Sequence, residues 1–273
     1  QVDRVFQRFS AQEKDSENST SILFLSDASL CRVFSFLDVP SGALAILLCT
    51  RIRAIFEGRI LQRQFGINVG FGSQDWKKYF GNVGEVPPLP SNIGGILRSP
   101  CPFWPDKRVG ETHILTLIPK TVNRKPFTLN GLQELIQNPR EKTATDFFYY
   151  SRLVQQELGD AEVEKTYWVL MTTDVIPDSR SKTYEEQKQL VKQKKAEGYE
   201  LPSALEAAAS ILMCYFKTDE YTYESTYTRC RETVTESQFP VIIGGFARGG
   251  LVVDANSIPF DYDYCGVAGV RKL

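Results

Sequence analysis

The chain has few of the residues on which common metal sites and acid–base enzymes depend. Among its 273 residues there is a single histidine, His113, and the six cysteines form no C-x-x-C pair. A structural zinc site is therefore not expected, because such sites combine four closely spaced cysteine and histidine ligands. We predict no metal, no cofactor and no catalytic residue.

The sequence also lacks the features of membrane and nucleic-acid proteins. It contains no run of about 18 apolar residues, so we expect no transmembrane helix and no membrane partner. Its formal net charge of -1 argues against a basic nucleic-acid surface. No secretory signal is apparent, which favours a cytoplasmic location. The glycine-rich stretch 244–250 lacks the Gly-Lys-Ser/Thr ending of a phosphate loop, so it predicts a turn.

The cysteines are scattered singly, which is typical of buried free thiols in a reducing compartment. A Cys–His mechanism would have to use His113, with Cys101 or Cys230 as the nucleophile. His113 begins an apolar strand pattern, and this position favours a structural histidine over a base. A cysteine-dependent enzyme is therefore kept as the alternative function.

The pattern along the chain predicts an α+β fold in four segments: a flexible leader over 1–21, a small helical module over 22–66, a Gly/Pro-rich connector over 67–102, and a mixed α+β domain over 103–273. Apolar runs predict strands over 113–118 and 167–172. Helices are predicted over 75–80, 132–137, 143–158, 184–195 and 202–216, the last with Pro202 at its first position. Short strands are predicted over 227–230, 241–243, 250–253 and 266–270.

The helical module has the periodicity of a docking element. Its first helix places apolar residues at i, i+3, i+4 and i+7, with Ser26 as a plausible N-cap. Asp38 to Gly42 ends this helix, and a second apolar run follows. The residues predicted to contact a partner are Leu30, Val33, Phe34, Leu37, Leu44 and Leu48.

These residues resemble an F-box. The match consists of Leu25, the run 33–37 (VFSFL), Leu44, the run 47–49 (LLC) and Ile52. Ser26 stands where the family has proline, and residues 60–65 lack its closing tryptophan. The resemblance implies docking on a Skp-type adaptor of a cullin ubiquitin ligase, with the rest of the chain binding a target protein. The alternative is a single integrated domain of unknown binding function, in which the same apolar faces are core.

The second half is similar to the formylglycine-generating-enzyme type of C-type-lectin-like fold. A Trp168 strand precedes the element 198–208 (GYELPSALEAA), and 269–271 (GVR) forms a terminal strand. The resemblance implies a lectin-like fold in which Glu206 makes a structural ion pair or hydrogen bond. Catalysis is not carried over, because Cys230 and Cys265 cannot be placed on the motif of the reactive cysteine pair of that family. Many members of the wider fold are binding modules.

The second half also resembles hypothetical proteins of chlamydia-like amoeba symbionts. The blocks that carry this likeness are 99–104 (SPCPFW), 111–114 (ETHI), 168–172 (WVLMT) and 266–269 (GVAG). No function follows from it. It does imply an intracellular bacterium as the source, and hence the host cytosol as the site of action after secretion.

A cluster of aromatic residues near the C-terminus predicts the target-binding surface. Tyrosine supplies contact area at a low cost in conformational entropy, so exposed tyrosines suit recognition. Packing of the same side chains between strands is the alternative. The predicted target-binding residues are Tyr221, Tyr223, Tyr227, Tyr262 and Tyr264.

Overall fold

A computed structural model of the chain describes residues 70–235, 238–255 and 263–273. These residues belong to one compact unit. The predicted leader and helical module, with Leu30, Val33, Phe34, Leu37, Leu44 and Leu48, lie outside the described residues, as does Tyr262. Those predictions stay predictions.

The described residues contain both helices and strands. The helices are α1 Ser73–Tyr79, α2 Ile93–Arg98, α3 Val109–Thr112, α4 Leu129–Gln137, α5 Arg152–Leu158, α6 Tyr184–Lys192 and α7 Ala204–Thr218, with a 3₁₀ turn at Lys195–Glu197. The strands are β1 Gly70–Phe71, β2 His113–Ile118, β3 Thr121–Val122, β4 Lys125–Pro126, β5 Phe147–Tyr150, β6 Tyr167–Thr172, β7 Tyr199–Glu200, β8 Tyr227–Thr233, β9 Pro240–Ala247, β10 Gly250–Ala255, β11 Cys265–Gly266 and β12 Val270–Lys272.

The strands form two mixed sheets of five strands and one small ribbon. The first sheet has the order β1-β2-β6-β12-β7, and the second has the order β11-β8-β9-β10-β5. Strands β3 and β4 pair by themselves. The α+β class is therefore confirmed, whereas the C-type-lectin-like arrangement stays a prediction. The strands predicted over 113–118 and 167–172 are confirmed as β2 and β6, which pair antiparallel along their full length.

Helix α7 is the centre of the core. Eleven of its fifteen residues are buried, which is typical of a helix that is apolar on nearly every face. It contacts β2 and β6 of the first sheet and β8, β9 and β10 of the second. Consecutive alanines at 207–209 leave room for this close packing, since their small side chains add little width to the helix.

The start of α7 differs from the sequence prediction by two residues. The helix begins at Ala204, with Ser203 as its N-cap, so Pro202 lies outside it. The Ser203 hydroxyl accepts a hydrogen bond from the Glu206 amide at 3.0 Å, and the Glu206 carboxylate accepts one from the Ser203 amide at 2.7 Å. This reciprocal capping box fixes the boundary more strongly than the preference of proline for the first turn.

The described part of the predicted connector belongs to the folded unit. Phe71, Trp76 and Phe80 are buried in the main core, and β1 pairs in parallel with β2. The Trp76 indole N–H donates to the carbonyl oxygen of Leu117 at 2.9 Å. The boundary predicted at residue 103 is thus corrected: the α+β unit already includes residue 70. The glycines and prolines suggested a linker, but the aromatic side chains between them supply the core contacts.

The segment 143–158 was predicted as one helix, and this is wrong for its first half. It contains strand β5 followed by α5. The residues of β5 read FFYY, and aromatic side chains favour strands. The partner is β10, a hundred residues further along the chain, which pairs with β5 in parallel. Such a distant partner cannot be read from local periodicity.

Replacement of Gly244 by alanine tests the tight packing of the second sheet. An added Cβ would lie 2.1 Å from the Thr226 carbonyl oxygen and 2.7 Å from the Tyr227 Cα. These are backbone atoms that cannot move away alone, so Gly244→Ala should lower the free energy of unfolding by about 2–4 kcal/mol. The matched control is Gly95→Ala in α2, where nothing lies within 4 Å and a gain of up to about 1 kcal/mol is expected. Equal urea midpoints for the two variants would contradict the packing described here.

Candidate functional site

The second sheet presents one face to α7 and the other face outward. Cys230, Ile243 and Val253 belong to the main core. Because side chains alternate along a strand, the neighbouring residues Ile242 and Val252 face the opposite side. That outer face contains a groove with a volume of about 460 Å³.

The groove has two tyrosines, an apolar floor and an acidic rim. Its lining residues are Glu224, Ser225, Tyr227, Ile242, Val252, Asp254 and Tyr264. The tyrosine rings lie with their centroids 5.6 Å apart at an interplanar angle of 63°, so they are not stacked. Burial, followed by the nearby Asp254 carboxylate, raises the pKa of Tyr227. The phenol is therefore neutral at physiological pH, and the groove combines aromatic surface with negative charge.

Backbone contacts hold Tyr227 in place. The Tyr227 amide donates to the Tyr264 carbonyl oxygen at 2.8 Å, which joins the two sides of the groove. A Cβ on Gly245 would lie 2.4 Å from the Tyr227 hydroxyl oxygen. Glycine at 245, where φ is +57°, thus leaves the space that the tyrosine ring occupies.

The structure separates the predicted tyrosine cluster into two groups. Tyr223 is buried, and its hydroxyl donates to the Thr172 carbonyl oxygen at 2.8 Å. Tyr221 packs against the rings of Tyr215 and Phe246. The prediction of an exposed side chain is therefore wrong for Tyr223, whereas Tyr221 is partly buried against the core and its role in binding stays a prediction. Tyr227 and Tyr264 are partly buried and line the groove, and their role in target binding stays a prediction.

Sequence reasoning did not identify the other groove residues. The alternation after Gly250 could have placed Val252 and Asp254 on one face of β10, but not beside Tyr227. Their proximity depends on β9, which pairs with both β8 and β10: Gly244 lies opposite Tyr227 on one side and Val252 on the other. The sequence also gave no sign that Phe148 and Tyr149 are 71% and 50% exposed on the edge strand β5.

His113 has the structural role that the sequence favoured. It is 1% exposed, its Nδ1 lies 3.1 Å from the Val109 carbonyl oxygen, and its Nε2 lies 3.0 Å from the Tyr199 hydroxyl. Burial lowers the pKa of His113 to about 4; the Val109 carbonyl opposes this shift, and Arg271 adds to it. The imidazole is thus neutral at physiological pH, with both nitrogens engaged.

The four described cysteines are free and buried, in agreement with the expected buried thiols. Burial raises the pKa of Cys214 and Cys230, and it raises the pKa of Cys265 to about 11. These thiols are therefore protonated at neutral pH, whereas a nucleophilic cysteine needs the thiolate. The ring nitrogens of His113 contact neither of the predicted nucleophiles, Cys101 and Cys230, within the described residues.

Glu206 is the centre of a buried ionic network. Its carboxylate accepts hydrogen bonds from the Tyr167 hydroxyl and the Ser203 amide, both at 2.7 Å. Arg231 lies 3.8 Å away and Lys272 lies 3.4 Å away. Glu206 thus makes the ion pairs and hydrogen bonds that the formylglycine-generating-enzyme resemblance implied.

The surroundings of Glu206 keep its carboxyl group ionised at neutral pH. Burial by itself would raise the pKa of this carboxyl, but the Ser203 amide, the Tyr167 hydroxyl, Arg231 and Lys272 together hold the pKa below its ordinary value. A hollow of about 430 Å³ lies beside the network. The charged groups Arg231 and Lys272 at its wall are already paired with Glu206 and Glu200, which assigns them a structural role.

The described residues contain neither a cluster of metal ligands nor a membrane-spanning helix. In residues 70–235, 238–255 and 263–273, no group of three or more His, Cys, Asp and Glu side chains lies close enough to hold a metal ion. Over the same ranges, no helix has the length and apolar character needed to cross a membrane.

His113 should make the stability of the protein depend on pH between about 4 and 6.5. An unfolded histidine binds its proton near pH 6.5, whereas folded His113 does so only near pH 4. The unfolded state therefore holds more protons in this window, and stability falls as the pH is lowered through it, by about 3 kcal/mol in total. The His113→Asn variant should be less stable than the wild type at pH 7, but its stability should not show this decrease as the pH is lowered. A folded-state imidazole titration near pH 6.5, measured by NMR, would contradict the burial argument.

Glu206→Gln should destabilise the fold by about 2–3 kcal/mol at pH 7, because two cations lose their buried partner. The carboxyl has a lowered pKa. Its contribution is therefore fully present above its unfolded pKa of about 4.3 and is lost as the pH falls through the folded value. Urea unfolding at pH 7 and at pH 3 should show a smaller difference for this variant than for the wild type. The control is Glu85→Gln at an exposed position, which should leave both midpoints within about 0.5 kcal/mol.

Comparison with known proteins gave no match: no family model, no curated protein and no solved structure is significantly similar to this chain. The resemblances to an F-box, to the formylglycine-generating-enzyme fold and to symbiont proteins therefore stay predictions.

Proposed function

We propose that this chain is a non-enzymatic interaction protein of two parts. Residues 22–66 act as an F-box-like module that docks on a Skp-type adaptor of a cullin ubiquitin ligase. The α+β unit binds a target protein. The observation that carries the second part is the outward groove between Tyr227 and Tyr264, since it offers aromatic and apolar surface on a rigid sheet.

The composition of the groove supports polypeptide binding. Recognition surfaces in proteins combine an apolar centre with a polar rim, and tyrosine is enriched in them. Ile242 and Val252 form the apolar floor here, and Glu224 with Asp254 forms the rim. A second exposed aromatic surface lies on β5, where Phe148 and Tyr149 are solvent-accessible on an edge strand.

The surroundings of His113 and of the buried cysteines support a binding function over a cysteine-dependent enzyme. His113 has both ring nitrogens engaged in the core. Burial raises the pKa of Cys214, Cys230 and Cys265, which disfavours the reactive thiolate. A cysteine-dependent enzyme would need these groups accessible and charged.

The docking part rests on the sequence. Four apolar residues from Leu30 to Leu37 have helical spacing, and on a helix this spacing would place them on one face, as in the amphipathic helices that insert into a partner groove. With the resemblance to symbiont proteins, the proposed place of action is the host cytosol, where a cullin ligase and its adaptor are present.

A capture experiment with a purified Skp-type adaptor tests the docking. The intact chain should bind the adaptor with a Kd that biolayer interferometry can measure, and the double variant Phe34→Ala, Leu37→Asp should weaken binding at least tenfold. Loss of two central apolar contacts has this effect at many interfaces. Phe148→Ala, on the edge strand of the α+β unit, is the matched control and should bind like the wild type.

Thermal unfolding of each variant shows whether the α+β unit is intact. Full adaptor binding by a folded double variant would refute the docking proposal, and so would absence of binding by the folded wild type.

A further inference from the structure

We infer that the groove binds a lysine or arginine side chain of the target polypeptide. This inference rests on the proposed function only in assuming that the α+β unit binds a target. It names the chemistry that the target must present. Three features favour a cation: the carboxylates of the groove, the placement of its rings, and a recurring arrangement elsewhere in the same fold.

The groove carries two carboxylates, Glu224 and Asp254. Arg229 is a cation on the same side of β8 as Tyr227, and it donates to the Lys182 carbonyl and the Gln187 side chain. Glu224 is exposed and Asp254 is partly buried, and the described residues place no lysine or arginine within ion-pair distance of either. Asp254 accepts a hydrogen bond from the Ala255 amide at 2.7 Å through one carboxylate oxygen. A cation that enters the groove would therefore meet two carboxylates beside a neutral phenol.

The same fold repeatedly combines a tyrosine, a carboxylate and a lysine. Lys142 Nζ lies 4.5 Å from the centroid of Tyr215 and 2.7 Å from an oxygen of Asp219. Lys272 Nζ lies 5.7 Å from the centroid of Tyr167 and 3.4 Å from Glu206.

Two further examples lie on the surface. Lys188 covers the Tyr184 ring and pairs with Glu185. Lys78 lies 4.7 Å from the centroid of Tyr79 and 3.7 Å from Glu141.

Tyr227 and Asp254 present the first two members of this arrangement. The carboxylate is close enough to raise the pKa of the phenol, yet the described residues supply no cation over the Tyr227 ring. A cation positioned over a tyrosine face is attracted by the ring quadrupole, and a carboxylate beside it strengthens the attraction. We therefore expect a lysine or arginine of the target polypeptide to supply the cation.

The floor of the groove suits the rest of such a side chain. Lysine and arginine carry long apolar stems below their charged ends, and these stems pack on apolar surface. Ile242 of β9 and Val252 of β10, which lies opposite Gly244, provide that surface. At about 460 Å³, the groove has room for the side chain and part of the adjoining backbone.

Binding of peptide libraries to the intact chain tests the inference. Four immobilised libraries share degenerate flanks and differ only in a fixed central residue: Lys, Arg, Gln or Glu. The Lys or Arg library should retain at least about fivefold more protein than the Gln library, and the Glu library should retain least.

Variants locate the interaction in the groove. Tyr227→Leu and the double variant Glu224→Gln, Asp254→Asn should each reduce the preference for the cationic libraries to near unity. The control Glu85→Gln, Asp106→Asn removes the same charge from exposed positions elsewhere and should keep the preference. Thermal unfolding confirms that each variant is folded.

Three results would overturn the inference: equal retention of the Lys, Arg and Gln libraries by the wild type, an equal loss in the control variant, or competition by free putrescine at the concentrations of the peptides. The last result would indicate a small cation as the ligand in place of a polypeptide. Adaptor capture is measured separately on the same protein, so loss of cation preference leaves the docking result unaffected, and failed docking leaves the library result unaffected.

Discussion

The fold depends on one buried carboxylate at the start of its central helix. Glu206 caps α7 through Ser203 and binds Tyr167 of β6, while Lys272 of β12 and Arg231 of β8 neutralise its charge. Strands β6 and β12 belong to the first sheet, and β8 belongs to the second. A single side chain thus joins both sheets to the helix between them. Because an uncompensated buried charge is costly, this network requires all four partners to be in place together.

Helix α7 determines which faces of the two sheets lie in the core and which face outward. Since it contacts strands of both sheets, their inner faces are used for the core. The outer face of the second sheet is covered near β8 and β11 by α6, where Gln187 donates to the Ser179 and Cys265 carbonyls and accepts from Arg229. Beyond this cover lies the groove at Tyr227, Ile242 and Val252. Its position therefore follows from the packing on both sides of the sheet.

The sequence predicted the helices and strands that can be recognised from neighbouring residues in the chain. The apolar runs of β2 and β6, the capped helix α6 and the long buried stripe of α7 could be found from composition and periodicity. It did not predict that β5 is a strand or that residues 70–102 belong to the core, because these facts depend on partners far away in the chain: β10 for β5, and Leu117 for Trp76.

The tyrosines of the candidate site show the same limit of prediction from sequence. Composition predicted an aromatic recognition surface, but whether a tyrosine is exposed depends on the strand geometry around it. The buried Tyr223 hydroxyl donates to the Thr172 carbonyl oxygen. The Tyr227 ring instead occupies the space beside Gly245 and lines the groove. Only the three-dimensional register brings Asp254 beside Tyr227.

The groove proposed as the binding site has a rigid support. Gly244 and Gly245 admit no side chain without displacing Thr226 or Tyr227, so the spacing between the floor and the ring is fixed by backbone contacts. The Tyr227 amide is bonded to the Tyr264 carbonyl across the groove, which limits how far the two sides can separate. A preorganised site loses less conformational entropy on binding than a flexible one. A single cationic side chain contributes little affinity by itself, and in the proposed interaction a fixed pair of ring and carboxylate would let that contribution distinguish lysine or arginine from a neutral residue of similar length.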